Sequence, residues 1–261
     1  MFFCYIRSAH SNHFETIFNN MDSKKRKAFG PNREDYGYEW PVDPFDRYID
    51  HLLAGKNNLH SAVDFGCGYG RRAKSLAELE IFKRIIACDV GDHTKDFVAH
   101  NLLCALARLT RCKAKTPIRF LQASVSEISP SVFNDGAVDY IQFRNVAHFL
   151  TPPQLRQALT TIRDIAASEG LIGMSFNAAP EPVPDNKIFS IYDDSDHPLL
   201  SQRKPEKSFW AFYRAEDITT YMETLGFQVS VVEITGGRYE ETHIIAVAPK
   251  KQKQDQFPAV L

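Results

Sequence analysis

The sequence predicts an α/β fold: a doubly wound, mostly parallel seven-stranded sheet whose last strand is antiparallel. Short runs rich in β-branched and aromatic residues alternate with helical patterns, which is typical of a parallel sheet covered by helices on both faces. The chain then ends in two consecutive β-rich runs joined through Gly236-Gly237. Because a tight hairpin joins antiparallel strands, the final strand is expected to run against the others.

The individual elements follow from periodicity and from helix end signals. The run DPFDRYIDHLLA places apolar residues at helical spacing before Gly55, and Thr151-Pro-Pro-Gln154 has the capping-box pattern, with early prolines, that begins a helix. In order, the predicted helices cover 43–54, 71–81, 93–109, 151 to Gly170 and 214–225, and the predicted strands cover 60–65, 83–88, 118–122, 137–143, 171–176, 227–234 and 240–248. The helix over 93–109 carries an apolar stripe formed by Phe97, Val98, Leu102, Ala105, Leu106 and Leu109.

Length and composition restrict the function and the domain organisation. The chain has 261 residues, a formal net charge of −1 and five cysteines without a C-x-x-C pair. The balanced charge argues against bulk nucleic-acid binding, and the cysteine pattern indicates reduced thiols in the cytoplasm, the expected location. No apolar run approaches the roughly 18 residues that cross a bilayer, so no membrane partner is expected. We expect an N-terminal extension over 1–42 that is partly disordered and can cap the site, one domain over 43–249 with a lid over about 178–208, and a polar tail over 250–261.

A glycine-rich turn between the first predicted strand and the next helix is the strongest functional signal. Asp64 precedes glycines at positions 66, 68 and 70, and Arg71 stands where the dinucleotide fingerprint has its third glycine. Closely spaced glycines let a ligand approach bare backbone at a helix N-terminus, where unpaired N–H groups favour polar or anionic groups. The pattern Asp64-x-Gly66-x-Gly68-x-Gly70 resembles motif I of the class I S-adenosylmethionine (SAM) dependent methyltransferases.

An acidic residue at the end of the second predicted strand supports this resemblance. Asp89 lies about 20 residues beyond the glycine loop, where a carboxylate can accept hydrogen bonds from a ribose diol. The resemblance implies that Asp89 holds the SAM ribose, while Asp64 orders the glycine loop or meets the amino end of SAM. Ala123-Ser124 stand where the family often has an acidic adenine contact, and Asn145 and Val146 would line the methionine end. The implied cofactor-binding set is Asp64, Gly66, Cys67, Gly68, Gly70, Asp89, Val90, Ala123, Ser124, Asn145 and Val146.

The residues that would serve the methyl acceptor are less distinctive. His148 is the candidate catalytic residue, because a histidine accepts a proton near neutral pH, although it can equally be packed at a helix start. Six aromatic residues are candidates for acceptor binding, or alternatively for pinning the extensions to the core: Tyr36, Tyr38, Trp40, Tyr192, Trp210 and Tyr213. Methyl transfer from a sulfonium depends mainly on positioning, so no metal is required.

The resemblance implies an enzyme that transfers a methyl group from SAM to an acceptor, most simply a small molecule, by in-line displacement, with S-adenosylhomocysteine as product. The expected assembly is a monomer or a homodimer. Other interpretations remain open: a non-catalytic SAM-binding or effector module on the same fold, a protein or RNA methyltransferase, and an NAD-dependent oxidoreductase. The position of Arg71 and the terminal hairpin argue against the last of these.

Overall fold

A computed structural model describes most of the region predicted to form the sheet and its helices. The described residues are 4–5, 44–56, 58–110, 115–133, 138–177, 189–191, 211–234 and 241–250. Most of the predicted extension over 1–42, most of the lid and nearly all of the tail lie outside these residues, so the predictions for them remain predictions.

The described elements follow the predicted alternation of strands and helices. The helices are α1 (Pro44–Ala54), α2 (Arg71–Glu78), α3 (Thr94–Leu109), α4 (Pro152–Ile165) and α5 (Ala215–Thr224), with short 3-10 helices at Pro130–Phe133 and Ala147–Phe149. The strands are β1 (Cys4–Tyr5), β2 (Leu59–Phe65), β3 (Phe82–Asp89), β4 (Ile118–Gln122), β5 (Val138–Arg144), β6 (Ala166–Asn177), β7 (Phe189–Ile191), β8 (Ala211–Tyr213), β9 (Gln228–Ile234) and β10 (Glu241–Val247).

The main sheet confirms the predicted topology and adds one short strand. Its order is β1-β9-β10-β6-β5-β2-β3-β4. The pairs β2–β3, β3–β4, β2–β5 and β5–β6 are parallel, whereas β10 is antiparallel to both β6 and β9. The two-residue β1 pairs antiparallel with β9 and was not predicted. The seven predicted strands are therefore present, and the last one along the chain runs against the parallel set.

The prediction that Gly170 ends the fourth helix is wrong. The helix ends at Ile165, and β6 begins at the extended residue Ala166. Val138 pairs with Ala166 but Tyr140 pairs with Leu171, so β6 bulges between these two pairs. A Cβ at position 170 would lie 2.9 Å from the Val138 carbonyl oxygen, so glycine permits the close approach of two strands rather than stopping a helix.

The predicted lid contains a strand that the periodicity did not reveal. β7 lies within it, and pairs antiparallel with β8 in a separate two-stranded sheet. β8 in turn packs against the 3-10 helix at Ala147–Phe149 and against β6. This insertion therefore returns to the part of the sheet where β5 ends.

Both faces of the main sheet are covered by helices. Phe45 of α1, Leu76 of α2 and Phe97 of α3 belong to one buried apolar cluster, and Leu159 of α4 and Ile218 of α5 belong to another. Neighbouring strand residues alternate between the two clusters, as expected for a sheet buried on both sides. Of the helices that the structure describes, none combines the length and apolarity needed to cross a bilayer.

The connection order creates a topological switch point between β2 and β5. From β2 the chain proceeds to β3 and β4 on one side, and then returns to β5 on the other side. Ligands of open α/β sheets bind outside the carboxyl ends of the strands at such a point.

Candidate functional site

The turn after β2 is held by hydrogen bonds to the end of β3. The N–H groups of Gly66 and Cys67 both donate to the carbonyl oxygen of Cys88, at 2.7 and 3.1 Å, and the N–H of Gly70 donates to the Cys67 carbonyl at 2.9 Å. Gly66, Gly68 and Gly70 have φ angles of 67°, 48° and 78°. Side chains rarely adopt this left-handed conformation, so the backbone path itself requires the predicted glycines.

Two of these glycines are also needed for close packing, and the third faces open space. A Cβ on Gly66 would overlap the side chain of Val146, and one on Gly70 would overlap the ring of Phe97. A Cβ on Gly68 would meet nothing within 4 Å. The middle of the turn therefore presents bare backbone to an unobstructed volume, which fits a ligand that approaches the main chain closely.

Asp64 orders the glycine turn through the start of α2. Its carboxylate accepts a hydrogen bond from the N–H of Ala73 at 3.1 Å, in the first turn of α2. Since the residue at the helix N-cap is Gly70, which has no side chain, Asp64 supplies from β2 the acceptor that an N-cap residue normally provides. Asp64 is only 4% exposed, and this burial raises its pKa to about 7 despite the opposing charge of Arg72.

Asp89 connects the glycine turn with the loop that follows β3. One carboxylate oxygen accepts the N–H of Gly68 and the other accepts the N–H of Gly91, each at 2.9 Å. An ionised carboxylate offers about four acceptor positions, so two hydrogen bonds leave capacity for a diol. The imidazole Nε2 of His93 lies 3.8 Å from Asp89, and its Nδ1 lies 3.1 Å from Asp96. His93 was not predicted as part of the site, although it lies only four residues after Asp89.

The ends of β3 and β4 lie side by side, as predicted. The N–H of Ala123 donates to the Asp89 carbonyl at 2.8 Å. Val90 exposes 69% of its surface immediately after Asp89. The Ser124 hydroxyl lies 2.9 Å from the Ser126 hydroxyl. An exposed aliphatic side chain therefore follows the end of β3, and a residue with a hydroxyl group follows the end of β4.

The segment after β5 contacts the glycine turn directly. Asn145 has a φ angle of 55°; its N–H donates to the Ser175 carbonyl at 2.9 Å, and its side-chain oxygen accepts the Ser175 hydroxyl at 3.3 Å. The next residue, Val146, is the one that a side chain on Gly66 would overlap. The structure thus brings together the two segments that flank the switch point.

A buried group of charges that was not predicted includes Arg144, the residue just before this segment. Asp46 of α1 is 1% exposed, and its carboxylate lies 3.0 Å from Arg71, 3.6 Å from Arg72 and 3.2 Å from Arg144. Burial opposes ionisation of Asp46, but the three guanidinium groups hold its pKa below the ordinary value. We call Asp46 with its three arginines the Asp46 cluster.

The Asp46 cluster joins three elements at the edge of the site. Arg71 is the first residue of α2, directly after the glycine turn, and Arg144 is the last residue of β5. The guanidinium of Arg144 also donates to the Ser175 hydroxyl at 3.2 Å, and that hydroxyl donates to Asn145. The partners lie far apart along the chain, so no local sequence pattern indicates that they meet.

Two predicted acceptor-site residues are buried in the structure. His148 is 4% exposed in the 3-10 helix after β5, with its ring centroid 4.3 Å from that of Phe149. Tyr213 of β8 is 2% exposed, and its hydroxyl donates to the Leu150 carbonyl at 2.6 Å. Both observations favour the packing alternative for these side chains, and contact with an acceptor remains a prediction. Five other predicted aromatics lie outside the described residues: Tyr36, Tyr38, Trp40, Tyr192 and Trp210.

The sheet order defines the class of protein. A parallel set of strands with one antiparallel strand, β10, inserted between β6 and β9 is the Rossmann-like methyltransferase arrangement. A model of the Methyltransferase domain family matches residues 63–174, which contain the glycine turn, Asp89 and the segment after β5. Residues 63–174 are therefore similar to a methyltransferase domain, and the sheet has the fold of the SAM-dependent methyltransferases.

Solved structures with the same fold are distant in sequence. A SAM-dependent methyltransferase from Mesorhizobium loti has 13% identity and a TM-score of 0.56, covering 77% of this chain and 96% of its own. The 1,6-didemethyltoxoflavin-N1-methyltransferase of Burkholderia thailandensis, solved with 1,6-didemethyltoxoflavin and S-adenosylhomocysteine, has 15% identity and a TM-score of 0.52, covering 78% and 76%. The [4+2]-cyclase SpnF has 14% identity and a TM-score of 0.52, covering 79% and 81%. No curated protein sequence matches the chain.

Proposed function

We propose that this protein transfers the methyl group of SAM to a small-molecule acceptor at the switch point between β2 and β5. The observation that carries the proposal is the geometry of the glycine turn: three left-handed glycines, open space at Gly68, and Asp89 hydrogen-bonded to the turn. SAM supplies a methyl group that its sulfonium already activates for in-line displacement. The protein therefore needs to bind and orient two molecules and to keep water out.

We assign the cofactor contacts to residues at the carboxyl ends of four neighbouring strands. Asp89 would accept the ribose hydroxyls with the acceptor positions that Gly68 and Gly91 leave unused. Val90 and Ser124 would flank the adenine, and Asn145 would lie at the methionine end. Asp64 acts indirectly in this proposal, because its carboxylate is committed to the start of α2.

The insertion between β6 and α5 supports a small acceptor rather than a macromolecule. β7 and β8 pair with each other, and Tyr213 fastens β8 to the segment after β5. Since β8 packs against the 3-10 helix after β5 and against β6, we infer a site with restricted access, which encloses a small molecule more readily than it admits a polymer. The 1,6-didemethyltoxoflavin-N1-methyltransferase, which has the same fold and was solved with 1,6-didemethyltoxoflavin bound, supports a small acceptor.

The cofactor assignment is tested by thermal melting with SAM, S-adenosylhomocysteine and NAD added separately. We expect the two sulfur compounds to raise the melting temperature and NAD to leave it unchanged. A ligand at about 100 times its Kd stabilises by about 2.7 kcal/mol, which corresponds to roughly 5–10 °C for a chain of this size. Asp89→Ala should remove most of this shift, because it removes the ribose acceptor.

Asp92→Ala is the matched control. Asp92 is an exposed carboxylate three residues further along the same loop, and it accepts the backbone N–H of Thr94 rather than any group of the glycine turn. It should retain the full response to SAM. If Asp89→Ala responds as strongly as Asp92→Ala, the ribose assignment is wrong, and if the folded wild-type protein responds to neither sulfur compound, the cofactor site is wrong.

The acceptor class is tested separately with methyl-labelled SAM and fractionated cell extract. We expect label in the metabolite fraction with wild-type protein and Asp92→Ala, and none above background with Asp89→Ala. Label that appears only in the protein or RNA fraction would contradict the small-molecule proposal while leaving methyl transfer intact. SAM binding without label in any fraction would instead favour a non-catalytic module.

A further inference from the structure

The imidazole of His93 lies beside the carboxylate that the proposed function assigns to the ribose. His93 directly precedes α3, and its side chain is 20% exposed, while the side chain of Asp89 is 15% exposed. The distance from His93 Nε2 to Asp89 Oδ1 is 3.8 Å, which is too long for a direct hydrogen bond. A polar atom of a partly exposed ring therefore lies near the candidate ribose acceptor without being hydrogen-bonded to it.

The position of this ring is fixed by contacts from three parts of the fold. Nδ1 of His93 lies 3.1 Å from the carboxylate of Asp96 in the first turn of α3. The rings of Tyr69 in the glycine turn and Phe120 in β4 meet the imidazole edge-on, with centroids 5.3 and 6.2 Å away. A Cβ on Gly91 would lie only 3.0 Å from Nε2, so glycine at this position leaves the space that the ring needs.

The hydrogen bond to Asp96 determines what Nε2 can do. An ionised carboxylate only accepts hydrogen bonds, so Nδ1 of His93 carries a proton and donates to Asp96. Nε2 is then an acceptor in the neutral ring and a donor in the charged ring. Because a hydroxyl group both donates and accepts, Nε2 can pair with a hydroxyl in either state of the ring.

We propose that His93 is a second ribose-binding residue of the SAM site and shares the ribose diol with Asp89. One hydroxyl donates to the carboxylate of Asp89, and the neighbouring hydroxyl pairs with Nε2 of His93. Two polar groups 3.8 Å apart are close enough for each to receive one of two hydroxyls on adjacent carbon atoms. This inference rests on the proposed function, since it requires the nucleoside of SAM at the glycine turn.

The inference refines the assignment of the ribose to Asp89 alone. The carboxylate of Asp89 already accepts the N–H groups of Gly68 and Gly91, which occupy two of its roughly four acceptor positions. With His93 beside it, each hydroxyl of the diol has a partner of its own. The site should therefore discriminate against a nucleoside that lacks the hydroxyl paired with His93, because Nε2 would lose that partner.

Isothermal titration calorimetry of the full chain tests the proposal with three probes: S-adenosylhomocysteine, its 2′-deoxy analogue and its 3′-deoxy analogue. The main variant is His93→Phe, which keeps a ring beside Tyr69 and Phe120 but has no polar atom. We expect it to weaken binding of S-adenosylhomocysteine and of one analogue about fivefold to tenfold, because a hydrogen bond is lost. Binding of the other analogue, which lacks the hydroxyl that His93 receives, should change by less than about twofold.

His100→Phe is the matched control for this substitution. His100 is a partly buried histidine of α3, and its Nε2 lies 3.0 Å from the carbonyl oxygen of Thr116. This variant should bind all three probes as the wild type does. His93→Ala is a second test variant that removes the ring entirely, and it should show the same difference between the two analogues. Far-UV circular dichroism without ligand should show that the variants are folded.

The possible results separate this inference from the proposed function. Equal weakening of all three probes by the His93 variants would overturn the inference, because the ring would then act only through the structure of the loop. Undiminished binding of S-adenosylhomocysteine by both His93 variants would also overturn it. Either result would leave the cofactor site intact, since the wild type binds S-adenosylhomocysteine. A folded wild-type protein that binds none of the probes would overturn both the proposed function and the inference.

Discussion

Replacing Asp46 with asparagine should destabilise the protein strongly, because it removes the only carboxylate that all three arginines of the Asp46 cluster contact in the described structure. Asparagine has nearly the same shape but no charge. Arg144 would keep only the Ser175 hydroxyl among these contacts, and its side chain is 10% exposed, so water cannot solvate it fully. Arg72 would keep its ion pair with Asp50 at 2.7 Å.

The expected magnitude follows from burial. Removing one partner of a buried ion pair costs about 3–5 kcal/mol, because the other charge is left without compensation. Asp50 still compensates Arg72, and the Arg71 side chain is 35% exposed and can reach water, so the lower end of this range is expected.

The assay is urea unfolding at pH 7.5, where Asp46 is ionised, with Glu78→Gln as the control. Glu78 pairs with Lys115 at 2.8 Å, a distance similar to those in the cluster, but the two side chains are 63% and 49% exposed. Such an exposed pair contributes only about 0.2–1 kcal/mol. If Asp46→Asn lowers the free energy of unfolding no more than Glu78→Gln does, burial does not determine the strength of the cluster and the reasoning is wrong.

Three further substitutions test other parts of the site. Asp64→Asn should change how stability depends on pH: the folded-state pKa of about 7 lies above the unfolded value, so the wild type loses up to about 4 kcal/mol relative to the variant as pH rises from about 4 to about 7. A difference between the two proteins that stays constant in urea unfolding at pH 5 and pH 8 would contradict the raised pKa. Gly68→Ala should lower stability by only about 1–2 kcal/mol for its left-handed backbone, yet abolish the thermal shift with SAM, and an intact shift would exclude ligand approach at this glycine. Tyr213→Phe should cost about 1–3 kcal/mol because it leaves the Leu150 carbonyl unsatisfied, and a loss below about 0.5 kcal/mol in urea unfolding would show that this hydrogen bond does not anchor β8.

The parts of the site that could be predicted lie on elements that follow one another directly in the sequence. Gly66, Gly68 and Gly70 lie between one strand and its helix, and Asp89 ends the next strand. Since neighbouring parallel strands place their carboxyl ends at one edge, reading the strands in order was enough to place these residues together. The structure confirms that proximity through the hydrogen bond from Gly68 to Asp89.

The parts that were not predictable depend on contacts between distant segments. Asp46 reads locally as an acidic residue in the first turn of a helix, and nothing near it in the sequence indicates Arg144. Gly170 matched the usual signal for a helix end. In the structure, glycine is required there because a Cβ would lie too close to the Val138 carbonyl oxygen on a neighbouring strand. The apolar stripe of α3 was recognised correctly as periodic, yet of its six residues only Phe97 is buried, because periodicity alone does not show which face of a helix meets the sheet.

The Asp46 cluster explains how a helix that precedes the first strand of the parallel set supports a site it does not line. Apolar packing of Phe45, Ile49 and Leu53 holds α1 against the sheet, but such contacts are non-directional. Ion pairs and hydrogen bonds have preferred geometry, so Asp46 also specifies where α1 lies along the sheet. Because its arginine partners begin α2 and end β5, the same carboxylate sets the spacing between the two segments that flank the switch point. The geometry of a cofactor site at this point would therefore depend on Asp46, a residue outside the region that matches the methyltransferase family.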